Sequence, residues 1–223
     1  MGLFLVGGMV ARITDHSLYL VTSEEYSAGR STLEVAEEAL SAGVDILQMR
    51  EKTKPKDELI KLGRKLRKLC SAAGAIFIVN DDPFVADQTD AEGVHLGQED
   101  LEKYPLEVVR DIMGEGRMIG VSTHSVEQFE KANRSDADYI AYGPIFSTRT
   151  KDYSIGLADA GTVLEEAAKP VVFIGGIDLA NIDSVMAAGA RNIALIRAIT
   201  AARDVAEETR RLKKKITSFR KKD

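Results

Sequence analysis

The stretch Gln48-Met49-Arg50-Glu51-Lys52 sets an amide and two cations at alternate positions. Extended side chains alternate between faces, so Gln48, Arg50 and Lys52 can point together toward one ligand. A chance basic cluster at a strand end is the plainer alternative. Asn80-Asp81-Asp82-Pro83 and Gly97-Gln98-Glu99-Asp100 bring carboxylates to two further segments. Mg2+ takes hard oxygen ligands, commonly one or two carboxylates with substrate phosphate oxygens and water. Asp81 and Asp100 can supply that pair, whereas Asp82, directly before Pro83, better suits helix capping. His95 can hydrogen-bond a substrate base, against the commoner use of a lone histidine as a satisfied structural residue. Ser122-Thr123-His124-Ser125 can bind phosphate or simply begin a helix. Residues 143–156, bounded by glycines, form a longer connection than most and read as a lid carrying Thr148, Thr150 and Lys151. Gly175-Gly176-Ile177 and Leu195-Ile196-Arg197 offer backbone amides to a phosphate.

These segments need a scaffold that gathers them. Short β-branched and apolar runs recur along the chain, each followed by polar residues and then by helical periodicity. Strands are expected at 18–22, 46–49, 76–79, 93–96, 118–121, 139–142, 171–174 and 192–196. Helices are expected at about 32–42, 56–73, 83–89, 106–113, 126–133, 157–168, 181–188 and from 201 onward. Ser31 with Glu34 makes a capping-box pattern, Pro55 and Pro83 suit a first helical turn, and Asp178 or Asn181 can cap the seventh helix. The run Pro170-Val171-Val172-Phe173-Ile174 reads as a strand buried on both faces. Eight such units predict an α/β fold, a single (β/α)8 TIM barrel, with an open doubly wound sheet as the alternative. In a barrel the loops after the strands carry the ligand chemistry, and the polar segments above fall there. Closure also sets the loops after strands seven and eight side by side, the usual phosphate cup of this fold.

A chain of 223 residues, 44% hydrophobic and 29% charged, can build one sizeable core. One domain is expected over 1–223, with 1–16 as an N-terminal extension or a helix over the barrel floor. The net charge of -5 gives no general attraction to nucleic acid or anionic lipid, so a phosphate site must be a local basic cluster. The apolar opening residues lack a basic flank and are too few to span a bilayer, so no membrane role is expected. Cys70, the one cysteine, cannot form an internal disulfide and sits in an apolar helical pattern, which suits a reduced, cytoplasmic setting. Small molecules are the expected partners; a homo-oligomer is left open.

Taken in order, these motifs resemble the thiamine phosphate synthase family from Tyr19 to Ile199. The resemblance rests on 48–52, 79–83, 93–100, 120–125, Gly143-Pro144-Ile145-Phe146 with Thr148-Arg149-Thr150-Lys151, and 175–177. It implies a transferase that condenses an aminopyrimidine-methyl diphosphate with a thiazole phosphate, or its carboxylated form, releasing pyrophosphate. By the same resemblance Tyr19, Gln48 and His95 would contact the pyrimidine, while Arg50, Lys52, Asn80 and Lys151 would hold the diphosphate. Asp81 and Asp100 would ligate Mg2+, and Ser122 would lie where the two substrates meet. Thr148, Thr150, Gly176, Ile196 and Arg197 would surround the thiazole phosphate, with Met49, Glu51 and Arg149 adjoining as further substrate contacts. Arg50, Lys52, Ser122 and Lys151 would be the catalytic set. Met49 stands where Leu is commoner, a nearly volume-conserving swap. Arg197 stands where the family usually has Ser, which favours an outward side chain and a cup made by the backbone. The connection between Asp100 and Gly120 is longer than in some members. The implied reaction is dissociative: diphosphate departs first, and the electron-rich pyrimidine stabilises a methylene cation that the thiazole nitrogen captures. Rival readings are a thiazole phosphate tautomerase, which needs no metal or diphosphate grip, and a non-catalytic sensor lacking the metal carboxylates.

Overall fold

A computed structural model describes residues 12–148 and 153–219. Its strands are β1 (Leu18–Val21), β2 (Ile46–Met49), β3 (Ile76–Asn80), β4 (Gly93–Leu96), β5 (Met118–Thr123), β6 (Tyr139–Tyr142), β7 (Val171–Ile174) and β8 (Asn192–Leu195). The helices are α1 (Thr32–Ser41), α2 (Lys56–Ala73), α3 (Pro83–Gln88), α4 (Gln98–Lys103), α5 (Leu106–Met113), α6 (Val126–Asn133), α7 (Ala160–Glu166), α8 (Ile182–Ala187), α9 (Arg197–Thr200) and α10 (Val205–Phe219). A 3-10 turn, Glu24–Tyr26, follows β1. All strands pair in parallel in chain order, and β1 closes the barrel on β8 with Leu18 opposite Ile193 and Leu20 opposite Leu195. The open-sheet alternative is thereby excluded. The expected helix or extension at 1–16 lies mostly outside the described residues.

Strand alternation sorts the side chains into two cores. Tyr19, Val21, Ile46, Ile78, Met118, Tyr139, Val172 and Ala194 pack inside the barrel. Leu18, Leu20, Leu47, Phe77, Val79, Ile140 and Phe173 face the helices and pack with residues such as Val35, Leu66, Val109 and Leu212. Cys70 is among this outer set, and burial pushes its thiol up to about 12. The expected capping box forms at α1, Asp82 caps α3 through Phe84 and Val85, and Ser125 caps α6 through Gln128. Asn181 precedes α8 but does not cap it; its side chain instead accepts from the Asp178 amide and donates to the Gly176 carbonyl.

The barrel floor repeats one device. Asp45, Glu92 and Asp138 each stand directly before an even-numbered strand, β2, β4 and β6. Each accepts from a backbone N–H at the start of the preceding strand: Leu18 at 2.6 Å, Phe77 at 2.9 Å and Ile119 at 2.7 Å. A helix cation completes each set, Lys213 on Asp45, Arg67 on Glu92 and Arg110 on Asp138. Orphan strand-end amides are thus satisfied by charged acceptors. The opposite rim of the barrel is left for chemistry.

Candidate active site

At the carboxyl ends of the strands opens a cavity of about 480 Å3. Ten expected site residues line it: Tyr19, Gln48, Arg50, Asn80, His95, Ser122, Thr148, Gly176, Ile196 and Arg197. Arg149, Thr150 and Lys151 lie outside the described residues. The ends of the connection that holds them are tied, since Ile155 N–H donates to the Pro144 carbonyl (2.8 Å) and Gly156 N–H to that of Ile145 (3.1 Å).

Two residues expected to touch substrate face elsewhere. Met49, 2% exposed, is on the outward face of β2 and packs toward α2. Glu51 is buried with both carboxylate oxygens occupied: Oε1 accepts from Thr22 Oγ1 (2.8 Å) and Thr32 Oγ1 (2.7 Å), and Oε2 from the Glu24 N–H (2.9 Å). The Thr22 hydroxyl also accepts from the Arg50 N–H at 3.1 Å. Glu51 therefore braces the segments that aim Arg50, with its carboxylate turned to them and not to the cavity.

The acidic edge of the site is built from two strand ends. Asp81 follows β3 with a left-handed backbone (φ 66°), held by its N–H on the His95 carbonyl at 2.8 Å. Asp100, in the first turn of α4, accepts from the Gly97 N–H at 2.8 Å. Burial, then a hydrogen bond with Asp100 and the charge of Asp100, push the Asp81 carboxyl up to about 6; Lys52 and Arg50 oppose the shift. Lys52 itself is exposed, and neither it nor the two aspartates lines the cavity wall. Among the described residues no group of three or more His, Cys, Asp or Glu could enclose a metal. Two carboxylates held against their mutual repulsion nevertheless fit a hard divalent cation whose remaining ligands come from substrate and water.

Across the cavity floor runs a chain of polar side chains. Gln48 Nε2 donates to Tyr19 Oη at 2.8 Å, and Tyr19 Oη lies 2.9 Å from Tyr139 Oη. Tyr139 Oη lies 2.9 Å from His95 Nδ1, and His95 Nε2 lies 2.8 Å from Ser122 Oγ. Burial lowers the His95 imidazole to about 4, with Asp100 opposing and His124 reinforcing, so the ring is neutral at physiological pH. Burial likewise raises both tyrosine hydroxyls, which stay protonated. Tyr139 was not singled out from the sequence, because its ring counts toward the apolar run of β6. The recoverable signal was Gly120 beside it on β5, where strand pairing brings the two residues opposite. Tyr26 also lines the cavity without having been singled out, and His124 lines it from the 122–125 segment read as a phosphate binder or a helix start; His124 Nδ1 bonds the Gly143 carbonyl at 2.5 Å.

The far wall is glycine backbone. Gly175 and Gly176 both have positive φ, 105° and 65°, and a Cβ on Gly176 would stand 2.7 Å from Phe146 Cβ. The Phe146 N–H donates to the Gly175 carbonyl at 2.9 Å, locking this turn to the connection after β6. Ile196, Arg197 and Ala198 continue the wall after β8. Backbone amides at this corner of a barrel form the usual receptor for a phosphate.

Fold and site together define a (β/α)8-barrel enzyme that handles phosphorylated small molecules. The family model for thiamine monophosphate synthase matches residues 18–199. A thiamine-phosphate synthase of Shouchella clausii is 46% identical over 191 residues, covering 84% of this chain and 90% of the relative. One from Dictyoglomus turgidum is 41% identical over 203 residues, covering 90% of each. The solved thiamine phosphate pyrophosphorylase of Pyrococcus furiosus superposes with a TM-score of 0.84 at 35% identity, over 91% of this chain and 96% of that one. The chain belongs to the thiamine monophosphate synthase family. Among the described residues no helix is long and apolar enough to cross a membrane.

Proposed function

We propose that this chain joins an aminopyrimidine-methyl diphosphate to a thiazole phosphate, giving thiamine phosphate and pyrophosphate. The observation that carries the reading is the single cavity that unites the Gly175-Gly176 turn with Arg50, Asn80 and the His95–Ser122 pair. Such a cavity can hold two phosphorylated reactants at once, which a bimolecular substitution requires. The diphosphate would lie against Arg50, Lys52, Asn80 and Lys151, and the thiazole phosphate against Thr148, Thr150, Arg149, Gly176 and the backbone of Ile196–Arg197. The pyrimidine would lie over Tyr19, Gln48 and His95.

Asp81 and Asp100 would hold Mg2+, which when bound supplies positive charge to the departing diphosphate oxygens. The chain's own part is to fix cations where negative charge develops and to keep water from the carbocation. No general base is needed, because the attacking thiazole nitrogen carries no proton, and a neutral His95 agrees with that. Small-molecule partners, a cytoplasmic setting for the reduced Cys70 and a single domain over 1–223 complete the reading, with a homo-oligomer compatible with it.

The test is pyrophosphate release by the purified protein with both substrates and Mg2+, followed alongside thiamine phosphate formation. Equal rates of both products are expected. Release of pyrophosphate with no thiamine phosphate, or neither product, would overturn the assignment.

A further inference from the structure

The chain from Gln48 to Ser122 can be ordered by counting donors. Gln48 Nε2 donates to Tyr19 Oη, so the Tyr19 hydrogen must go elsewhere, and Tyr139 Oη at 2.9 Å is its neighbour. Tyr139 Oη then has its own hydrogen for His95 Nδ1, which must be the acceptor. That fixes the ring as the Nε2–H tautomer, which donates to Ser122 Oγ. Ser122 has received a hydrogen, so its own hydroxyl proton is the one left over, and Ser122 is part-exposed on the cavity wall.

With the Gln48 amide oriented so that Nε2 faces Tyr19, the opposite order fails at its other end. If Ser122 donated to Nε2 and the ring donated to Tyr139, Tyr19 Oη would accept from both Gln48 and Tyr139. Its hydrogen would then be unused at a site only 2% exposed, and an unused buried donor disfavours that order by roughly tenfold or more. The Ser122 carbonyl is separately held by Gln98 Nε2 at 2.5 Å, which fixes the backbone from which the hydroxyl projects.

We infer that Tyr139 is a positioning residue: through the His95 tautomer it compels the Ser122 hydroxyl to present its proton to the cavity, as a donor to an anionic substrate oxygen. Resting on the proposed transferase reading, the donor's natural target is the diphosphate oxygen on which charge accumulates as the carbon–oxygen bond breaks. Ser122 gives a hydrogen bond and keeps its proton, so no acid–base step is added. Tyr139 touches this oxygen only through His95 and Ser122.

Two measurements test the inference. Nitrogen-15 NMR of the imidazoles separates the two neutral tautomers; with three histidines in the chain, His95→Gln identifies the signal. The ligand-free wild-type protein is expected to show His95 protonated at Nε2, and Tyr139→Phe, which keeps the ring but removes the link, is expected to shift the ring toward a mixture. An Nδ1–H tautomer in the wild type overturns the ordering whether or not the protein has the proposed activity. In turnover, Tyr139→Phe and Ser122→Ala should each lower kcat by about tenfold with KM for the thiazole phosphate little changed. The double variant should lose no more than the worse single variant, because residues acting as a unit are not additive. Multiplying losses, about a hundredfold together, would overturn the coupling; an inactive wild type with the expected tautomer would instead count against the transferase reading alone.

Discussion

The ring of Tyr139 fills the place where a side chain on Gly120 would stand: a Cβ there would lie 2.0 Å from Tyr139 Cζ. Gly120 and Tyr139 face each other across the β5–β6 ladder, so neither can shift without the strand. Gly120→Ala is expected to push the tyrosine ring aside, separate its hydroxyl from His95 and overfill the barrel. The cost is about 1–3 kcal/mol of stability, typical of overpacking, with turnover falling at least as far as in Tyr139→Phe. Chemical denaturation with a parallel pyrophosphate assay measures both. An unchanged midpoint with unchanged activity would mean that the barrel interior has slack here.

Asp81 and Asp100 are expected to act as a pair in Mg2+ use, since each supplies one carboxylate. Asp81→Asn and Asp100→Asn should both lose most turnover while folding normally, Asn being tolerated at the left-handed position of Asp81. Titrating Mg2+ in steady-state assays should give a higher half-saturating concentration in either variant. Near-normal turnover by both at low Mg2+ would remove the two carboxylates from the metal site.

The same carboxyl makes a pH-dependent contribution in metal-free protein. The folded-state pKa of Asp81, about 6, lies above the ordinary aspartate value of 3.8, so between those pH values the folded state binds more protons than the unfolded. Stability from this group is therefore full below about pH 4 and is lost as pH rises through 6. Asp81→Asn should melt higher than wild type at pH 8 in a chelator, the gain shrinking as pH falls toward 4. Thermal scans across that range give the answer; a gain that grows toward acid would reverse the sign and refute the electrostatic account.

Asp138 anchors the barrel floor, accepting from the Ile119 N–H at 2.7 Å and from Arg110 at 2.8 Å. Asp138→Ala leaves a strand-end amide and a part-buried guanidinium short of a partner, a loss of about 1–3 kcal/mol. Because the floor is opposite the site, kcat and KM should stay near wild type below the melting range. A variant with wild-type stability would show that water replaces the carboxylate at no cost.

The strand pattern was legible because parallel strands covered on both faces are apolar throughout, as 171–174 is. Boundaries moved where polar residues continue a ladder: β3 reaches Asn80, which pairs with His95, and β5 reaches Thr123, which pairs with Tyr142. Backbone pairing is indifferent to side-chain polarity, so composition could not mark those ends. Helix α4 was missed because Gln98-Glu99-Asp100-Leu101-Glu102-Lys103 has one apolar residue and hence no periodicity. The bracing role of Glu51 was hidden for a different reason: beyond the end of β2 its carboxylate turns to the Thr22 and Thr32 hydroxyls, partners distant in sequence. Tyr139 was hidden because its role depends on Gly120 and His95 on other strands, relationships that only the closed barrel creates.

Arg197 occupies the first turn of α9, beside Ile196 and Ala198 on the cavity wall, and its side chain is exposed. Three consecutive residues on one wall let the chain itself form the surface there, and the expected arrangement is that the backbone makes the contact while the exposed guanidinium adds none. A direct charged hydrogen bond to the thiazole phosphate would contribute about 1.5–3 kcal/mol, and its loss in Arg197→Ser would raise KM roughly ten- to a hundredfold. The backbone arrangement instead predicts a change of less than about twofold, well under 1 kcal/mol. The measurement is KM for thiazole phosphate at saturating pyrimidine diphosphate, at low and high salt. Salt separates a distant charge from a contact, because screening removes the former over about a Debye length. A rise of tenfold or more that persists at high salt would establish that Arg197 grips the phosphate directly and that the cup here differs from one made of backbone alone.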